Sequence, residues 1–184
     1  MQHTISQHIA KRYFYRVAIA VLLCLTGVTA RAQGRQSMAK ALETTPDAYI
    51  QKDYTSIGKV EGVHISVEGI TDLTHNKKMN ALEMEYTFAD NSVTVSVLLD
   101  AGDADSLISY MDFVTSTVFK SPEPTDVREF SFTSRSNFEA GCYWNKGWSV
   151  YIRIDRDNSR TNVEFNREDV MQFQSLLKQA KLNL

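Results

Sequence analysis

The chain has 184 residues, with twenty lysines and arginines against twenty-two aspartates and glutamates, and two cysteines. Lys11, Arg12, Arg16 and Arg31 lie in the first 32 residues, which hold no acid, so residues 33–184 carry sixteen basic and twenty-two acidic side chains, a net of −6. That balance excludes the basic footprint on which nucleic-acid binding depends and argues against a polybasic membrane-surface role.

The three basic residues up to Arg16 precede an apolar run at 17–25 that continues to residue 29, and Ala30-Arg31-Ala32 then supplies a small-x-small pattern. This is the layout of a cleavable secretory signal over residues 1–32, leaving Gln33 as the new N-terminus. An apolar stretch of about 9–13 residues is too short for a membrane span, which needs about 20. Cys24 follows Leu22 and Leu23 rather than a small residue, which does not fit an acylation motif. The Ala32-Gln33 junction resembles that of uncharacterised exported proteins of the Bacteroidota type, which implies a periplasmic or extracellular location. Only Cys142 remains after processing, so neither an internal disulfide nor a thiolate metal cluster is available.

Residues 33–56 read as a partly helical N-terminal segment, with Thr45-Pro46-Asp47 as a helix start and Ala48, Tyr49 and Ile50 able to pack. Residues 57–184 read as one α+β sandwich domain. A strand at 62–70 places Val63, Ile65 and Val67 on one face, and a strand at 80–88 does the same for Leu82, Met84, Tyr86 and Phe88. A turn at 89–92 leads to Val93, Val95, Val97 and Leu99, which pairs Tyr86 with Val95 and Met84 with Val97. A helix is expected at about 104–119, with Asp103 as N-cap and Leu107, Met111, Val114 and Val118 as its stripe. Ser121-Pro122-Glu123-Pro124 ends it.

Four more strands follow as a meander. Phe130 and Phe132 lead, then Phe138, Ala140, Cys142 and Trp144. Asn145-Lys146-Gly147 makes a hairpin loop, with Gly147 expected in the left-handed conformation. Trp148, Val150, Ile152 and Ile154 come next, then Thr161, Val163 and Phe165. The expected pairs are Phe132 with Phe138, Cys142 with Val150, Ile152 with Val163, Glu139 with Arg153 and Gly141 with Tyr151. A last helix at about 167–181 is capped by Asn166 and buries Val170, Phe173, Leu176, Leu177 and Ala180.

The expected architecture is a single antiparallel-rich sheet of about seven strands with helices on one face, in the order β-β-β-α-β-β-β-β-α. Seven strands at ~4.8 Å make a sheet about 30 Å wide, and two helices at ~10 Å cover about two thirds of it. Residues 36–53, a second copy, a partner or an apolar ligand would have to cover the rest.

Short catalytic motifs are absent: there is no nucleophile elbow, His-Glu-x-x-His, phosphate-binding glycine loop or dinucleotide fingerprint. Cys142, between Ala140 and Trp144 on an apolar strand face, reads as a buried structural thiol. His64 and His75 have no second ligand at metal-like spacing. Asp100, Asp103 and Asp105, and Asp155, Asp157 and Asn158, offer calcium-like oxygens without the spacing of a calcium loop, and capping and turn formation account for them. No cofactor is implied. The binding candidates are Trp144 and Trp148 at a hairpin tip and Tyr143 and Tyr151 on the opposite face.

These features point to a non-enzymatic binding or interaction module, working through a protein partner or self-association. One alternative is a carrier of an apolar small molecule held between sheet and helices. Another is an envelope enzyme with a site dispersed over Glu139, Arg153, Asp155 and Tyr151.

Overall fold

The computed structural model describes residues 36–88 and 93–184. The expected signal segment at 1–32 and the turn at 89–92 lie outside the described residues. The protein is α+β with antiparallel sheets, and its strands divide into two four-stranded meanders rather than one sheet of seven. A short helix α1 (Met38–Glu43) leads into β1 (Ile50–Val60), β2 (Val63–Asp72), β3 (Lys77–Thr87) and β4 (Thr94–Asp100), followed by helix α2 (Ala101–Ser116). The order then repeats with β5 (Arg128–Thr133), β6 (Glu139–Trp144), β7 (Trp148–Arg153), β8 (Asn162–Phe165) and helix α3 (Arg167–Lys181).

The strand that sequence reading missed is β1. It is an edge strand whose residues are mostly exposed, so it carries no clean apolar alternation to detect. Thr45-Pro46-Asp47 does not start a helix. Asp47 takes a positive φ of 56°, turning the chain directly into β1. β1 therefore crosses the boundary expected at residue 57. It joins β2 through Glu61 and Gly62, both at positive φ (44° and 82°), the signature of the two-residue hairpin turn that matches strand twist.

Alternation set the remaining registers. Met84 pairs with Val97, Tyr86 with Val95, Cys142 with Val150, Ile152 with Val163, Glu139 with Arg153 and Gly141 with Tyr151. Phe132 instead pairs with Ala140, two residues beyond the expected Phe138. Ser134 ties the turn tighter: its N–H donates to the Phe138 carbonyl at 2.9 Å, and its Oγ accepts from the Phe138 N–H at 3.2 Å. A two-residue slip keeps every side chain on its own face, so alternation alone could not detect it. At the β6–β7 hairpin the left-handed residue is Lys146, at φ 60°, and not Gly147.

One contiguous core takes Ile65, Leu82, Met84 and Leu99 from the first sheet, Phe138, Cys142, Val150 and Ile152 from the second, and the stripes of α2 and α3. Each such fully buried aliphatic or aromatic side chain contributes about 1.5–3 kcal/mol relative to exposure. Aromatic contacts tie α2 and α3 to the second sheet: Tyr110 stacks on Phe132 at 6.1 Å, Phe113 meets Phe130 at 5.4 Å, and Phe165 meets Phe173 at 5.1 Å. Division into two sheets sharing two helices removes the uncovered apolar third expected of one wide sheet.

Helix α1 does not help to cover that face. It packs on the opposite side of the first sheet, where Ala39 joins Ile70, Ala81 and Leu98 in a separate small cluster. The helices are thus on both faces of the first sheet, not on one.

Candidate functional site

The four aromatic candidates do not form one cluster. Trp144 and Trp148 pair across the β6–β7 hairpin, with ring centroids 5.4 Å apart, and Trp148 lies 6.0 Å from Phe130 on the core side. Tyr143 and Tyr151 meet at 6.2 Å on the other face of the same sheet. There the Tyr151 hydroxyl donates to Glu129 Oε1 at 2.7 Å, and burial, reinforced by Glu129, pushes the phenol above its ordinary value. Arg153 stacks over Tyr151 at 4.9 Å and donates to Glu139 Oε2 at 2.9 Å. Asp155 makes no bond to this network among the described residues and accepts from Asn137 Nδ2 at 2.9 Å. The dispersed residues Glu139, Arg153 and Tyr151 are brought together, but as an ion pair under an aromatic ring. The chain's own partners use their polar atoms.

The remaining candidates are also held by structure. Cys142 is fully buried, and burial pushes its thiol up to about 12. Asp100 and Asp103 share Arg135, and Asp105 pairs with Lys181 at 2.6 Å. Asp103 is not the cap of α2. The N-cap is Asp100, whose side chain makes no cap bond to α2 and serves α1 instead. His75 Nδ1 lies 2.7 Å from Asp72 Oδ2, and His64 Nε2 lies 3.0 Å from Ser56 Oγ.

Of the aromatic candidates, Trp148 opens onto a concave surface. A groove of about 430 Å³ runs between the second sheet and α3, lined by Phe119, Trp148, Ser149, Phe165, Arg167 and Val170. A contiguous depression shares Phe119 and Arg167 and continues past Lys120 to Met171, which is 54% exposed. Local sequence explains how these residues converge. The Phe119 turn (Val118–Lys120) ends the α2 segment, and the β8–α3 junction is fixed by a full capping box. In that box Asn166 Oδ1 accepts from the Glu168 and Asp169 N–H groups at 2.7 and 3.0 Å, while Asp169 Oδ2 accepts from the Asn166 N–H at 2.9 Å.

Two polar groups at the groove have no polar partner among the described residues. The Trp148 Nε1–H is buried with no acceptor, a group whose desolvation costs about 1–3 kcal/mol. Arg167 stacks on Phe119 at 5.3 Å and enters none of the ion pairs of the described residues. It stands at the first position of α3, where the helix dipole disfavours a cation. Beyond Trp148 itself, a basic residue directly after a strong N-cap was the sequence signal that could have flagged this site. Phe119 and Phe165 gave none, because each reads as ordinary core.

Among the described residues no group of three or more acidic, histidine or cysteine side chains is placed to hold a metal ion, and no helix is long and apolar enough to cross a membrane. No protein-family model matches the chain, and no curated protein is similar to it.

Proposed function

We propose that the protein is an exported, non-enzymatic binding module that receives a partner protein in the groove at Trp148. The observation that carries this reading is the pairing of an aromatic floor (Phe119, Trp148 and Phe165) with Arg167 at its rim, which stacks on Phe119 and has no ion-pair partner among the described residues. Such a surface suits an apolar side chain next to a carboxylate, as at the C-terminus of a partner chain. The groove is open to solvent, and its base is formed by Phe165 and Val170 of the core with Phe119 and Trp148 packed against them. A carrier would bury about 70–90% of a small ligand, which favours a docked segment over carriage. The polar groups of Glu139, Arg153 and Tyr151 are already engaged with one another or with Glu129, which weighs against catalysis there.

Trp144 and Trp148 are the only tryptophans, so intrinsic fluorescence reports on the groove. A short peptide ending in Leu-Phe with a free carboxylate is expected to shift the emission saturably. Its C-terminal amide should bind more weakly, and Arg167→Gln should erase that difference. Saturable binding of dodecanoate with indifference to both peptides would move the reading to small-molecule carriage. No response to any of these probes would remove the groove from consideration. Export has its own test: protein recovered from the host envelope should begin at Gln33, and an intact Met1 or an acylated Cys24 would overturn that part.

A further inference from the structure

The outer face of the first sheet buries four carboxylates, and the fold accounts for only two of them. Asp72 accepts from the Thr74 and His75 N–H groups at 2.9 and 3.0 Å and lies 2.7 Å from the His75 ring nitrogen. Asp100 accepts from the Met38 and Ala39 N–H groups at 2.9 and 3.0 Å and from Arg135 at 3.1 Å. Glu68 and Glu83, 1% and 7% exposed, are not served in this way. Glu68 Oε1 is fully buried, and among the described residues no neutral donor reaches it. Its nearest cation, Lys52 Nζ at 3.1 Å, is shared with Glu43. Among the described residues Glu83 has a single hydrogen bond, from Ser66 Oγ at 3.0 Å, and no cation within ion-pair distance. A buried carboxylate left short of donors is costly, and chains normally supply the missing partners.

Both side chains line a cleft of about 190 Å³ between this face and α1, whose other walls include Ser37, Lys40, Glu43 and Ser136. Three carboxylates thus face two ammonium groups. Lys40 and Lys52 both bind Glu43, and only Lys52 reaches Glu68. The cleft is short by one positive charge, and the shortfall falls at Glu83. Burial, with Glu85 and Glu68 adding to it, raises the Glu83 carboxyl above its ordinary value. Among the described residues no three acidic, histidine or cysteine side chains come together in a metal-holding group.

We infer that this cleft is a binding site for an organic cation, a guanidinium or ammonium group on a short stem, received by Glu83 and Glu68. A guanidinium suits it best, because its planar fork of N–H donors can serve two carboxylates at once. The site is on the opposite face of the first sheet from the core and does not rest on the groove reading.

Isothermal titration of the purified protein with agmatine, and separately with acetyl-Gly-Arg-Gly-amide, tests it. Saturable binding of agmatine supports the inference and identifies a free small molecule as sufficient. Binding of the peptide alone also supports it and identifies the cation as an arginine of a partner chain. In either case Glu83→Gln should weaken binding about thirtyfold or more, while Arg167→Gln in the distant groove leaves it unchanged. Glu83→Gln keeps the Ser66 hydrogen bond and relieves a buried charge, so loss of fold is not expected, and a thermal melt confirms it. Binding unchanged in Glu83→Gln, or no binding of either probe to the wild-type protein, overturns the inference.

Discussion

The ring of Tyr151 occupies the space directly over Gly141, its cross-strand partner, so that a Cβ on Gly141 would collide with the ring and the hydroxyl. The glycine is what allows a tyrosine on a sheet's outer face to be only 6% exposed and still reach Glu129. Gly141→Ala is expected to lower stability by about 1–3 kcal/mol, the range for overpacking a filled site. Tyr151→Ala in the same chain should remove most of that increment, because the colliding ring is gone. Urea denaturation of the two single variants and the double variant checks this. Simple additivity of the two effects would show that the contact does not govern the site.

Helix α1 depends on Asp100, which lies 62 and 61 positions along the sequence from the Met38 and Ala39 N–H groups it accepts from. Asp100 accepts from the first two N–H groups of α1, and Arg135 holds Asp100 and Asp103 in place from the β5–β6 turn. With six residues, α1 is too short to be stable alone. Asp100→Ala should therefore detach it, raising hydrogen exchange at residues 38–43 while the β2–β3 pairing stays protected. The global cost should be about 1–2 kcal/mol, as for loss of a strong cap. Retained protection of residues 38–43 would mean that the Ser37 cap, the Lys52–Glu43 ion pair and the apolar contacts of Ala39 suffice to hold the helix.

What could be read from the sequence follows from where a residue's partner lies. Asn166 was legible as a cap because its partners, Glu168 and Asp169, are two and three residues away. Val170, Phe173 and Leu177 were legible because helical spacing repeats within a few turns. Asp103 was misread as the α2 cap because the actual N-cap, Asp100, commits its carboxylate to a helix far away in sequence. Division into two sheets was not legible either. Each meander alternates in the same way whether or not β4 pairs with β5, and nothing local marks the break. Of the candidate site, Trp148 was named from its place at a hairpin tip. The residues that make it concave, Phe119 and Arg167, reach it only through tertiary packing.

Cys142 should behave as an apolar core residue. It is fully buried, and its thiol is pushed up to about 12 by burial, so thiolate is scarce at neutral pH. Native protein is expected to react with a disulfide reagent only at the rate at which it unfolds. Cys142→Ser should destabilise more than Cys142→Ala, since it places a hydroxyl among Phe130, Val150 and other core groups without a partner. Rapid labelling of the folded protein would contradict the burial of this strand.

Glu83 should leave a mark on the pH dependence of stability. Its folded carboxyl lies above the ordinary value of 4.5, chiefly through burial. Between the ordinary value and the raised one, the folded protein holds a proton that the unfolded chain has released. Stability therefore falls as pH rises through that window, and the loss is complete above the raised value. Asp72 acts in the opposite sense: its hydrogen bonds to His75 and Thr74 outweigh burial and hold it below its ordinary value of 3.8, so its contribution is present above that value and lost as pH falls through its lowered one. Glu83→Gln removes the first effect and leaves the second. The variant should match the wild type under acidic conditions and exceed it at neutral pH, because Gln carries no charge to bury and can still accept from Ser66. Urea midpoints measured from acidic to neutral pH decide the matter. If the wild type and Glu83→Gln ran parallel across the whole range, Glu83 would be as well solvated in the fold as in the unfolded chain, and the charge shortfall of the α1 cleft would disappear with it.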